Sequence, residues 1–189
     1  MNAARRKTIA ALIVRLSDLE TLANYIAAEI RVATARARAA EAAKARVAKS
    51  KGEKYTPPPP KHTGGFSRPT GGSMTSRFGM RYHPILHYTR MHSGIDFGGG
   101  YGAAVYAAGG GTVISAGSKG SYGSTVVIDH GGGLSTVYGH LSRISVSEGQ
   151  IISTHQRVGS IGSSGLSTGP HLHFEVRVNG RAVNPLNYL

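Results

Sequence analysis

Near the C-terminal end of the chain two histidines stand either side of one leucine, in GPHLHFEV, residues 169–176. On a β-strand successive side chains point to opposite faces, so His171, His173 and Glu175 share one face and Leu172, Phe174 and Val176 the other. The two imidazoles are then about 7 Å apart at Cβ, from a rise of about 3.3 Å per residue, near enough to address one ion or its bound water. A second cluster, HSGID at 92–96, sets His92 and Asp96 four apart in a glycine-broken stretch that can bring both onto one point. With one histidine of the HLH pair they form a His, Asp, His set, an N/O environment suited to Zn²⁺ with a fourth position left for water. Three protein ligands and an open position make a catalytic zinc site rather than a structural one. The chain has no cysteine, which removes thiolate ligands, disulfides and a Cys nucleophile together.

Each cluster alone has a plainer account: His92 with Asp96 can be a hydrogen-bonded turn, and HLH an exposed strand with stray histidines. A further histidine, His140 in VYGHLS, is expected at the end of a strand on the face of Thr136 and Tyr138. Such a set needs a rigid frame, and composition says where that frame lies. Of 27 glycines only Gly52 precedes residue 64, while 16 alanines fall in the first 50 residues, so residues 1–50 read as helix and the remainder does not.

Ile9, Leu12, Leu16, Leu19, Ala23, Ile26, Ile30, Ala33 and Ala37 follow an unbroken 3-4 spacing, which predicts a long helix, a possible coiled coil, with a narrow apolar seam over residues 9–37. That seam suits self-association or a helical partner; a helix packed on its own domain is the alternative. The stretch KGEKYTPPPPKHTGG (51–65) stops the helix, and residues 51–70 read as a Pro/Gly linker. From residue 71 to 189 short β-branched runs alternate with glycine: AAVYAA, GTVISAG, STVVIDH, LSTVYGHL, SRISV and HLHFEVRV. They predict a mainly β, antiparallel domain, with the glycines at 131–133 closing a hairpin. None of the glycine clusters opens a helix after a strand, as a nucleotide loop requires.

The net charge of +13 divides as +8 over residues 1–63 (13 Lys+Arg, 5 Asp+Glu) and +5 over residues 64–189 (9 Lys+Arg, 4 Asp+Glu). A basic surface favours polyanions, among them nucleic acid, anionic lipid and anionic wall polymers. The apolar stretch from Ile9 to Val14 is cut by Arg15, so no clear signal peptide is expected, and no segment reaches the ~20 apolar residues of a membrane span.

With HxxxD at His92–Asp96, His140 in YGHLS and the pair in SSGLSTGPHLHFEV, the chain resembles the LytM/lysostaphin-like peptidases, the M23 zinc metallopeptidases. The likeness runs from about residue 71, through MTSRFGMRYHP, to VNPLNYL at the end. It implies a LytM-like antiparallel β-fold in which His92, Asp96 and His173 hold Zn²⁺ while His140 and His171 act beside the metal as catalytic groups. It also implies an endopeptidase acting on the peptide cross-links of bacterial peptidoglycan, outside the membrane, with no nucleic acid required. Lacking a clear signal, such an enzyme would be released by lysis, carried in a phage particle or exported by another route. One rival expectation is a non-catalytic wall-binding module on the same fold, which would lack at least one of the three ligands; another is a structural assembly protein in which the helix carries the function and the β-domain is a passenger. Tyr88 or Tyr82 could point a hydroxyl at the oxyanion, and His83 matches a family position near the groove. His62 reads as linker and His130 as a hairpin-end residue. Two positions depart from the pattern: His155 stands where relatives commonly have a turn glycine, and Ala104 where they often have proline.

Overall fold

The computed structural model describes residues 28–36, 39–40, 42–53, 65–82 and 87–189. Among these, twelve strands follow in order: β1 Met74–Ser76, β2 Gly79–Tyr82, β3 Thr89–His92, β4 Ile95–Gly98, β5 Ala104–Tyr106, β6 Gly111–Ser118, β7 Ser124–Gly131, β8 Leu134–Ile144, β9 Ile151–Ile152, β10 Arg157–Ile161, β11 His171–Val178 and β12 Arg181–Val183. Ten form one antiparallel sheet along β1-β4-β11-β8-β7-β6-β9, with β10 pairing β5 and β8, and β12 pairing β11. The strands β2 and β3 make a separate hairpin.

The β-branched runs form strands whose alternation sends one set of side chains into the core. On β11, Leu172, Phe174 and Val176 enter the core, joined by Tyr138 from β8 and Val126 and Ile128 from β7. Tyr138 is fully buried and its hydroxyl is satisfied, accepting the Ala108 N–H at 2.8 Å. The β7–β8 turn runs through Gly131, Gly132 and Gly133 at φ of 81°, 64° and 86°, a left-handed run that glycine adopts without the Cβ clash. His155 takes a left-handed φ of 64° as a non-glycine residue, so the departure noted in sequence sits at a real backbone constraint.

Two boundaries differ from the sequence reading. LSTVYGHL runs on into residues 142–144 as one continuous strand, β8, with a left-handed residue at His140, and Ser145 and Val146 lie beyond its end. Residues 65–70, given above to the linker, join the β-domain. Phe66 is buried in the core and its N–H bonds the Tyr188 carbonyl, while Ser67 N–H reaches Ala108 O at 2.9 Å. The proline run lies outside the described residues.

Residues 28–36, 39–40 and 42–50 are helical. Of the apolar seam, Ile30 and Ala33 lie within the described residues; Ile9 to Ile26 and Ala37 do not. Ile30 is only 5% exposed and packs on Ile114, Val127 and Val137, with Ala33 and Tyr122 beside it. These two seam positions thus cover the protein's own sheet, on the face opposite the core. Lys119 Nζ adds an ion pair to Glu29 at 2.9 Å.

Burying an isoleucine contributes about 1.5–3 kcal/mol. Replacement Ile30→Asp is therefore expected to lower the unfolding free energy by that order, measured by urea denaturation of the full chain. An unchanged midpoint would mean that the helix adds nothing to the fold.

Candidate metal centre

The centre of the site is set by strand register. On β11, His173 stands directly opposite Asp96 of β4 on one side and Gly139 of β8 on the other. Alternation puts His173 and Glu175 on the face away from the core, as the sequence predicts. His92 ends β3, and Ser93 and Gly94 turn the chain straight into β4, so His92 and Asp96 fold back over the same point. Glycine is required in that turn. A Cβ on Gly94 would stand 2.3 Å from the Phe174 carbonyl oxygen and 3.0 Å from a ring carbon of His173.

His92, Asp96 and His173 are all buried, and they meet. His92 Nε2 is 3.1 Å from Asp96 Oδ1 and 3.1 Å from His173 Nδ1, and His173 Nδ1 is 2.9 Å from Asp96 Oδ1. The far nitrogens are committed. His92 Nδ1–H donates to the Arg77 carbonyl at 2.7 Å, and His173 Nε2–H donates to a Glu175 oxygen at 3.1 Å. In the neutral rings the three inward atoms are therefore all acceptors. Acceptor lone pairs converge only around positive charge, either a shared proton or a cation. Tetrahedral zinc ligands at about 2.0–2.1 Å from the ion stand about 3.3 Å apart, close to the separations here, so the donor set fits Zn²⁺.

The electrostatics say the same. Burial pushes the Asp96 pKa up, but its bonds to His173 and His92 outweigh that and hold the carboxyl well below the usual carboxylate range. Burial pushes His173 down, yet Asp96 and Glu175 more than offset it and carry it up to about 9. The pocket stabilises positive charge at the point where the three atoms meet.

His140 and His171 flank this point. Their rings lie 4.7 Å apart between centroids, and His140 is 5.8 Å from the ring of His173. His171 Nε2 is 3.8 Å from Asp96 Oδ1. His140 Nδ1–H donates to Ser164 O at 2.8 Å and His171 Nδ1–H to Gly169 O at 2.8 Å, which leaves each Nε2 able to take a proton. Ser164 is itself pinned: its hydroxyl donates to Leu141 O and accepts from Ser124 N–H. Burial, with His173 close by, pushes the His140 pKa down to about 4, so its ring is neutral near pH 7.

The placement of His140 corrects the sequence reading. Simple alternation puts it on the core face with Thr136 and Tyr138, whereas its ring meets His171 and His173 on the opposite one. The cause is its φ of 60°, a left-handed residue that shifts the β7–β8 register between Ser124 and Val126 and turns the side chain across the sheet. Left-handed backbone costs about 1–2 kcal/mol at a non-glycine residue, and such strain gathers at functional sites.

Of the other candidates, Tyr82 is 62% exposed, while the Tyr88 hydroxyl is buried with no hydrogen-bond partner among the described residues. His130 is buried, not exposed at its hairpin: it bonds Gly110 O and Thr136 Oγ1 and stacks near Phe66. His62 and His83 lie outside the described residues. Sequence reasoning missed Arg81, whose Nη2 is 3.4 Å from Asp96 Oδ2, and Tyr122, set edge-on to His173 at 5.4 Å. Neither carries a spacing signal, because β2 and the turn before β7 reach the site only through the fold.

Residues 90–185, just over half of the chain, match peptidase family M23, and the chain belongs to that family. It is 46% identical over 114 residues to the DD-carboxypeptidase/endopeptidase Mpg of Neisseria meningitidis serogroup B, a match covering 60% of this chain and 26% of that protein. The chain thus corresponds to about a quarter of the length of that relative. Among solved structures it is similar to a zinc containing peptidase from Vibrio cholerae, at 37% identity and a TM-score of 0.60 over 65% of this chain and 39% of the other. It is also similar to the catalytic domain of lysostaphin from Staphylococcus simulans, at 30% identity and a TM-score of 0.55 over 62% of this chain and 91% of the other. The antiparallel LytM-like fold expected from the motifs is the fold observed.

A Gly94→Ala substitution should drive the His92–Asp96 turn away from β11. Its expected effects are loss of high-affinity zinc binding and destabilisation of about 1–3 kcal/mol, read by metal titration and thermal unfolding. Normal zinc uptake by this variant would contradict the packing described.

Proposed function

We propose that the chain is a zinc-dependent endopeptidase that hydrolyses peptide cross-links of bacterial peptidoglycan. The observation that carries this is the convergence of three buried acceptor atoms, His92 Nε2, Asp96 Oδ1 and His173 Nδ1, with His140 and His171 alongside. Those three atoms would hold Zn²⁺. When bound, zinc lowers the pKa of its water to about 7 and polarises the scissile carbonyl.

The chain's own residues do the rest. His140 or His171 takes a proton at Nε2 and returns it to the leaving amine; the partner, when protonated, stabilises the oxyanion. The backbone carbonyls of Ser164 and Gly169 hold both rings in the tautomer that leaves Nε2 free for this. The substrate class is supported by the relatives, among them proteins named peptidoglycan DD-endopeptidases in Vibrio cholerae, and by a net charge of +13 suited to an anionic wall. Action on the wall places the substrate outside the cell membrane. Among the described residues no helix is long and apolar enough to cross it.

Purified protein is expected to bind about one zinc per chain and to release new amine and carboxyl ends from sacculi, identified by mass spectrometry. His92→Ala, Asp96→Ala and His173→Ala should lose metal and cleavage together. His140→Ala and His171→Ala should keep zinc and lose about 10²–10⁴-fold in turnover. Full zinc occupancy in His173→Ala would refute the ligand set. Binding to sacculi without cleavage by the zinc-loaded protein would favour a non-catalytic wall-binding module instead.

A further inference from the structure

Residues 64–189 contain four acidic side chains, and two of them, Asp96 and Glu175, are buried at this one site. Asp96 is accounted for as a ligand. Glu175 is fully buried, which is expensive for a carboxylate unless every oxygen is bonded. Its Oε1 accepts from His173 Nε2–H at 3.1 Å, from the Tyr122 hydroxyl at 2.6 Å and from the Ser93 hydroxyl. Its Oε2 accepts from Arg177 Nε at 2.5 Å. Arg177 is held in turn by Gly180 O at 3.1 Å and by the Tyr122 oxygen at 3.2 Å.

The network does more than satisfy itself. Ser93 lies between the ligand His92 and the turn glycine Gly94, so its bond to Glu175 ties the segment carrying His92 and Asp96 to the strand carrying His173. An apolar pair of the same volume would fill this space without the cost of burying charge. What an apolar pair cannot do is accept a hydrogen bond from His173 Nε2–H.

We propose that Glu175 is a positioning residue of the metal centre, holding His173 in the Nε2–H tautomer so that Nδ1 presents its lone pair to zinc, with Ser93, Tyr122 and Arg177 holding Glu175. A carboxylate behind a metal-bound imidazole fixes ring orientation and raises ligand basicity. Arg177 donates through Nε to the other oxygen of that carboxylate and fixes its plane, and Tyr122 closes the pocket edge-on to the ring. This inference rests on the zinc reading above.

The test is zinc affinity, measured by competition with a chromophoric chelator, together with thermal unfolding of the metal-free protein and the visible spectrum of the Co²⁺-substituted form. Glu175→Gln keeps the shape and removes the charge; its zinc Kd is expected to rise about 10–100-fold, with a shifted Co²⁺ spectrum and a cooperative apo transition. Tyr122→Phe and Ser93→Ala each remove one donor to Glu175 without touching His173, and each should raise the Kd by less. An unchanged Kd and spectrum in Glu175→Gln overturns the proposal, even if the apo protein is less stable. Should Glu175→Gln fail to fold, unchanged Kd values in both Tyr122→Phe and Ser93→Ala overturn it instead. Failure of the wild-type protein to bind zinc would sink the zinc reading itself, a separate result.

Discussion

The structure turns on the register of β11. His173 faces Asp96 across one strand boundary and Gly139 across the other, and a slip of one residue would send His173 into the core and Leu172 out of it. That register is held by the apolar side of the same strand, where Leu172, Phe174 and Val176 are each 0% exposed. Core packing and metal geometry are thus two faces of one eight-residue strand. The sheet need not be tuned for chemistry separately from stability, because moving one moves the other.

The second constraint is electrostatic. Three acceptor atoms are pressed within about a hydrogen-bond length in a pocket from which water is largely excluded, an arrangement that favours a cation strongly. The Arg77 carbonyl and the Glu175 carboxylate set the tautomers of His92 and His173 that create this demand, and the Ser164 and Gly169 carbonyls set those of His140 and His171 beside them. Their contribution is orientation. Each accepts an N–H from one side of a ring and thereby decides what the other side can do. The basic character of the rest of the chain stands in contrast, with two of only four acidic residues after position 63 spent at this site.

Much of this was legible in the sequence, and the illegible parts have physical causes. Period-2 alternation exposed β11 and sorted His173 from Phe174, since nothing interrupts that strand. The same rule misplaced His140, because a single left-handed residue reverses alternation and no residue type at that position announces it. Strands β1 to β4 are three or four residues long, too short for periodicity to register, although they carry His92 and Asp96. The helical spacing around Ile30 announced a buried stripe but not what buries it; for Ile30 and Ala33 that is the sheet's outer face at Ile114, Val127 and Val137. Tyr122 came to the site by tertiary contact alone, which leaves no local pattern to read, whereas Ser93 and Arg177 lie beside the motif residues but on side chains whose type does not announce a ligand-holding role.

The chemistry of the site depends on the position of one ion. Crystals of the zinc-loaded protein, with diffraction recorded on either side of the zinc absorption edge, would locate it by anomalous difference density. A single peak bonded to His92 Nε2, Asp96 Oδ1 and His173 Nδ1, with His173 Nε2 still held by Glu175, is the result expected. A peak at other residues, bonding through His173 Nε2, or no peak in protein shown to be active on peptidoglycan, would contradict it.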